Sequence, residues 1–98
     1  MNLYKAHIVH PSTQVPLIVY FNESDGHVTF EKDQELLNVL IELTEGLPSK
    51  ERFIKNMELA SNICQTQYPV SSFKEVYEFL ATLGVKKNDL SFQQLFVH

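Results

Sequence analysis

Four histidines, a single cysteine and a run of carboxylates are the residues of this chain whose side chains could do chemistry. His7 and His10 differ in parity along a segment that reads as a strand, so they face opposite ways and do not share a metal. His27 follows a turn sequence, and His98 is the last residue. None shows the i, i+4 helical pairing or the Cys/His spacing on which a zinc site depends. No metal or other cofactor is therefore expected. Cys64 would need a histidine and a carboxylate converging on it to act as a nucleophile. Its spacing from Phe53, Met57 and Ala60 places it instead on an apolar helical stripe, as a small core residue. Serines and threonines fall mainly in turns and caps, where backbone hydrogen bonding accounts for them. Three glycines do not build a phosphate-cradling loop, and no G-x-S-x-G occurs.

The carboxylates are the most distinctive group. Residues 1–45 carry Lys5 and Lys32 against Glu23, Asp25, Glu31, Asp33, Glu35, Glu42 and Glu45, a net charge of −5. The remainder carries +1, giving −4 for the chain. Offsets of seven and three put Glu35, Glu42 and Glu45 on one stripe of a helix. Asp25 and Glu31 join them if the preceding hairpin packs beside that helix. Such a cluster is either a solvated face that keeps the protein in solution or a patch that docks a basic partner. Asp25-Gly26 lacks the ordered oxygen ligands of a calcium loop.

The elements that must position these residues are legible in the hydrophobic pattern. Val15–Phe21 is an uninterrupted apolar run rich in β-branched and aromatic residues, read as a strand apolar on both faces and covered on each. Before it, Leu3–His10 alternates Tyr4, Ala6 and Ile8 against Lys5, His7 and, imperfectly, Val9. After it, Asp25-Gly26 closes a hairpin into a third strand carrying Val28 and Phe30. Asp33 is the expected N-cap of a first helix whose apolar residues leave only a narrow polar stripe. That helix is expected to be buried on several sides, lying across the meander. Ser49 is the expected cap of a second helix running to about Gln67, where Tyr68-Pro69 ends it. A third helix begins at the capping box Ser72-x-x-Glu75 and ends at Gly84, with Val85 folding back on Leu80. Leu90–His98 reads as a short helix capped at Ser91, with a last strand as the alternative.

The 98 residues, 44% hydrophobic and 20% charged, fit one domain with one core. The expected class is α+β: a three-stranded antiparallel meander followed by three helices packed on it, with a short C-terminal helix or strand. Met1–Lys5 lacks the apolar core of a signal peptide, no apolar run is long enough to span a bilayer, and one cysteine suits a reducing compartment. A soluble cytoplasmic protein, with no membrane, is the reading. Function is expected to be non-catalytic protein–protein interaction, as a regulator, inhibitor or immunity-type protein whose acidic face meets a basic partner; a homodimer stays open. The runner-up is a helix-turn-helix-like DNA-binding regulator formed by the second and third helices. Nucleic acid is the poorer partner because the acidic surface repels phosphate and the third helix exposes Lys74, Glu75, Glu78 and Thr82. A small enzyme built on His7, His27 or Cys64 ranks third.

Overall fold

Alternation along the first three strands decides which side of the sheet is buried. In the computed structural model, which describes residues 2–95, β1 (Leu3–Val9), β2 (Pro16–Asn22) and β3 (His27–Lys32) form an antiparallel meander. Ala6 and Ile8 of β1, Leu17, Val19 and Phe21 of β2, and Val28 and Phe30 of β3 all point to one face and are buried there. The opposite face carries Lys5, His7, Tyr20, Thr29 and Glu31, none of them buried, so β2 is covered on one side and not on both. On that second face Ile18 is only half-buried, and Pro16, at the start of β2, is the one β2 residue buried.

Two further strands widen the meander. β4 (Tyr68–Pro69) pairs with the start of β3, and β5 (Gln93–Leu95) pairs with Leu3–Lys5 of β1, giving the order β4-β3-β2-β1-β5, antiparallel throughout. The sheet thus has five strands rather than three. At its C-terminal end the strand alternative holds over the helical one: Ser91 does not cap a helix, because β1 offers an unpaired edge that residues 93–95 fill. The rest of that expectation, Phe96–His98, lies outside the described residues.

Pro16 shows how closely sequence and ladder agree. Its carbonyl accepts from the Asp33 amide at 3.0 Å, while the Asp33 carbonyl accepts from Leu37 at 2.9 Å. A donor at position 16 would have aimed at a carbonyl already committed to the next helix, so proline is tolerated there.

The helix that covers the buried face is not the one the aliphatic content suggests. α1 (Gln34–Thr44) buries only Leu37 and packs against α2 (Ser49–Ala60). It is α3 (Phe73–Thr82) that lies on the meander, through Val76 and Leu80, both fully buried. Aromatic groups flank that contact. On the β1 side Phe73 meets Tyr4 at 4.8 Å, Phe21 at 5.1 Å and Phe92 at 5.5 Å between ring centroids. On the other side Phe79 meets Tyr68 at 4.8 Å and Phe30 at 6.2 Å. Edge-on and tilted pairs of this kind add to the burial of the rings themselves.

The helix termini follow the sequence signals, with two exceptions. The Asp33 carboxylate accepts from the Leu36 amide and the Ser72 hydroxyl from the Glu75 amide. Gly84, at φ +94°, completes a Schellman ending in which Val85 N–H donates to Leu80 and Gly84 N–H to Ala81. The first exception is that Pro48, not Ser49, occupies the α2 N-cap, with no side-chain cap bond. The second is that α2 stops at Ala60 instead of Gln67. The Ser61 hydroxyl bonds back to the Met57 carbonyl, a competitor of the helical ladder, and the chain tightens into a 3₁₀ turn at Ile63–Gln65. Residues 61–72, including that turn and β4, therefore separate α2 from α3, so the two are not the closely joined pair of a helix-turn-helix.

Val19 sits at the centre of this arrangement, at 0% exposure, paired with Ala6 and Phe30. Val19→Asp would place an unpaired carboxylate under α3. It is expected to cost several kcal/mol, on the order of a small domain's whole stability. Loss of the cooperative thermal transition is the expected result, and a melt near the parental temperature would contradict the buried placement.

Candidate functional site

α1 owes its shape to a strong start and a weak attachment. Asp33 caps it, Glu35 lies in its first turn, and the chain turns out of it at Glu45 and Gly46, the latter at φ +77°. With successive residues turned by about 100°, Leu37, Leu40, Ile41 and Thr44 share one side, and these are the buried and half-buried positions. Leu36, Val39 and Leu43 share a second side and are exposed, Leu43 at 68%. Glu35, Asn38 and Glu42 occupy the third, also exposed.

The helix is thus apolar over most of its circumference, as the sequence implies, but only one of its two apolar sides is covered. The expectation that α1 is buried on several sides and lies across the sheet is corrected here. A lone exposed leucine is unremarkable, whereas a row at i, i+3 and i+7 on one helix is a surface feature. Leu47, in the turn after α1, is also exposed, at 52%.

The acidic residues singled out in the sequence do not all meet. Glu35 and Glu42 lie one above the other beside the Val39–Leu43 row. Glu45 falls at the C-cap, outside the regular helix, where its carboxylate takes the Lys50 ammonium at 2.6 Å. Glu31 is on the uncovered sheet face beside Tyr20, whose hydroxyl is pushed above the usual phenol range by burial first and by the Glu31 charge second. Asp25 sits in the β2–β3 turn, bonded through its backbone and side chain to Asn22. That turn is at the end of β3 remote from α1, so Asp25 is a turn residue and not part of the α1 surface.

The histidines and the cysteine are equally dispersed. His7 shares a hydrogen bond of 3.1 Å with the Asp33 carboxylate across β2. His10 accepts from the Ser12 and Thr13 amides, closing the β1–β2 turn. His27 pairs in the ladder with Asn22 and Pro69. Among the described residues no three metal-ligating side chains converge. Cys64 lies in the 3₁₀ turn after α2, not on α2 itself, and packs half-buried against the core. Burial pushes its thiol up; Lys32 acts against that shift and Glu31 with it. This is the reverse of the activation a nucleophilic cysteine needs.

One feature of the surface went unread in the sequence pattern. Val9 has the parity of Lys5 and His7, and it stands 51% exposed on the uncovered side of the sheet. It lines a cleft of about 500 Å³ together with Pro11, Asp33, Leu36 and Val85. Its break in the alternation of β1 is the signal that could have found it.

Comparison with known proteins leaves these surfaces to speak for themselves: no family model, no curated protein and no solved structure matches the chain. Among the described residues no helix is long and apolar enough to cross a membrane.

Two measurements check the placements. Leu37→Ala is expected to cost about 2–5 kcal/mol, as for a buried leucine, whereas Leu43→Ser should change stability by less than about 0.5 kcal/mol. Equal costs in urea melts would contradict the division of α1 into covered and uncovered sides. Cys64→Ala should cost roughly 1 kcal/mol. A thiol reagent at neutral pH should label native Cys64 much more slowly than the unfolded chain, and fast native labelling would show an activated thiolate.

Proposed function

We propose that this domain works by binding another protein, and that the outer side of α1 is its docking surface. The observation that carries the reading is the uncovered row Leu36–Val39–Leu43 with Glu35 and Glu42 along its border. An apolar strip supplies the area removed from water on docking, at about 25 cal/mol per Å². The adjoining carboxylates choose a partner of opposite charge and speed the encounter. The occupant that fits both is an amphipathic helix with an apolar face bordered by lysines or arginines, laid along α1 in the manner of helix recognition. A role as a non-catalytic regulator, inhibitor or immunity-type protein follows from such a surface.

Glu35 and Glu42 form no ion pair among the described residues, so their charge is available to a partner. Glu45 contributes less, its charge already opposed by Lys50. Asp25 and Glu31 are too far from the strip or too engaged elsewhere to belong to the contact.

The test is a charge reversal with a control. Glu35→Lys combined with Glu42→Lys should leave the melting temperature nearly unchanged, since exposed charges contribute about 0–1 kcal/mol. The same pair should slow association with the partner captured from the native cell and flatten its salt dependence. Lys74→Glu with Lys86→Glu is the control and should leave that binding intact. Lys87 is unsuitable for the control, because its ammonium lies 5.0 Å from the centre of the Tyr77 ring. Binding governed by the lysines and indifferent to the glutamates would overturn the acidic docking surface and put a nucleic-acid partner first.

A further inference from the structure

We propose a second recognition surface, distinct from α1: the outer edge of β1 at His7–Val9 receives an extended, cationic segment of another protein as an added strand. The argument begins with parity. The bonds His10 N–H to Val15 and Glu23 N–H to Asn2, both 2.9 Å, show that even-numbered residues of β1 exchange their backbone bonds with β2. In an antiparallel ladder the odd-numbered residues then aim their N–H and C=O groups the other way. On that side β5 takes up only Leu3–Lys5. Upstream of Gln93 the chain leaves the edge through Leu90–Phe92 and the 3₁₀ turn at Lys87–Asp89. Among the described residues nothing pairs with the outward backbone of His7 and Val9.

An exposed edge is a template for another strand, and proteins usually blunt it with lysine, proline or a bulge. None of these devices stands at positions 7–9. The edge instead opens on the cleft of about 500 Å³, whose apolar walls come from Val9, Pro11, Leu36 and Val85. Asp33 and Asp89 are the carboxylates that line it, and no lysine or arginine does. The cleft can therefore take alternate apolar side chains of an incoming strand, and Asp89, with Asp33 that also caps α1 and meets His7, favours lysine or arginine beside them. Strand addition requires only main-chain bonds plus those alternate side chains, which is why an extended segment fits this edge and a helix does not.

The proposal does not rest on the α1 reading, although Leu36 borders both surfaces, and the experiment separates them. The probes are blocked hexapeptides that alternate valine with lysine, the same with glutamate for lysine, and the lysine form N-methylated on alternate residues. Titrated into the ¹⁵N-labelled protein, the valine–lysine peptide should shift the His7 and Val9 amides saturably and slow their exchange with solvent. The glutamate and N-methyl peptides should bind at least about tenfold more weakly, the loss expected for one or more missing hydrogen bonds or a repelled charge. Val9→Pro removes an outward N–H without touching the β1–β2 ladder, and should weaken the lysine peptide by about tenfold. Should that variant fail to fold, Val9→Lys leaves the backbone intact and sets a cation against the incoming strand. Glu42→Lys, on the α1 surface, should leave peptide affinity within about twofold.

Shifts confined to α1 would overturn the edge proposal while favouring the α1 surface. No saturable binding, or equal binding of the lysine and glutamate peptides, would also overturn it. So would concentration-dependent dimerisation abolished by Val9→Pro, since a second copy of the chain would then be the occupant.

Discussion

One face of a twisted sheet has to be covered, and in this chain α3 does much of it, with Leu37 of α1, Ala60 of α2 and the Ile63–Gln65 turn adding to the cover. Val19, Phe21, Val28 and Phe30 present an apolar surface that water would penalise heavily, and Val76 and Leu80 of α3 close over it. The two aromatic groups at the flanks of α3 join this contact to β1 and β5 on one side and to β3 and β4 on the other. Other elements are arranged around that demand. α1 and α2 pack against each other, and Leu37 and Ala60 tie them to the core.

Because α3 covers so much of the sheet, α1 gives the core only Leu37 as a fully buried residue. Its apolar residues exceed what the α2 contact absorbs, and the surplus faces solvent next to uncompensated carboxylates. The same division of labour leaves half of the β1 edge without a neighbour. Both proposed recognition surfaces are thus consequences of how little of the molecule is needed to bury its core.

The meander was legible because strand parity is a local property: Tyr4, Ala6 and Ile8 face one way whatever packs on them. α3 was legible for a similar reason, since Ser72, Glu75 and Gly84 specify its ends through bonds within a few residues. What the pattern did not contain was the assignment of helices to the sheet. Leu36–Leu43 is the more aliphatic stretch, and periodicity reports that a face is apolar without naming its cover. Phe73, Tyr77 and Phe79 win because large rings reach both flanks of the sheet at once. β4 was hidden by brevity, and β5 was legible only as the alternative reading of the tail, since so few residues show no alternation. At the proposed docking surface, Glu35 and Glu42 are both exposed on α1, seven residues apart. Asp25 was separated from them by the length of β3, a distance that no helical spacing encodes.

The pairing of Leu3 with Leu95 joins residues that are nearly a chain length apart. The β1–β2–β3 ribbon, by contrast, is closed by short turns and rests on neighbours in sequence. Loop-closure entropy makes the ribbon the early event and the docking of β5 a late one. During synthesis the whole outer edge of β1 therefore waits, complete but uncapped, while the rest of the polypeptide emerges. For that interval the unpaired edge is the kind of strand template on which misassembly begins.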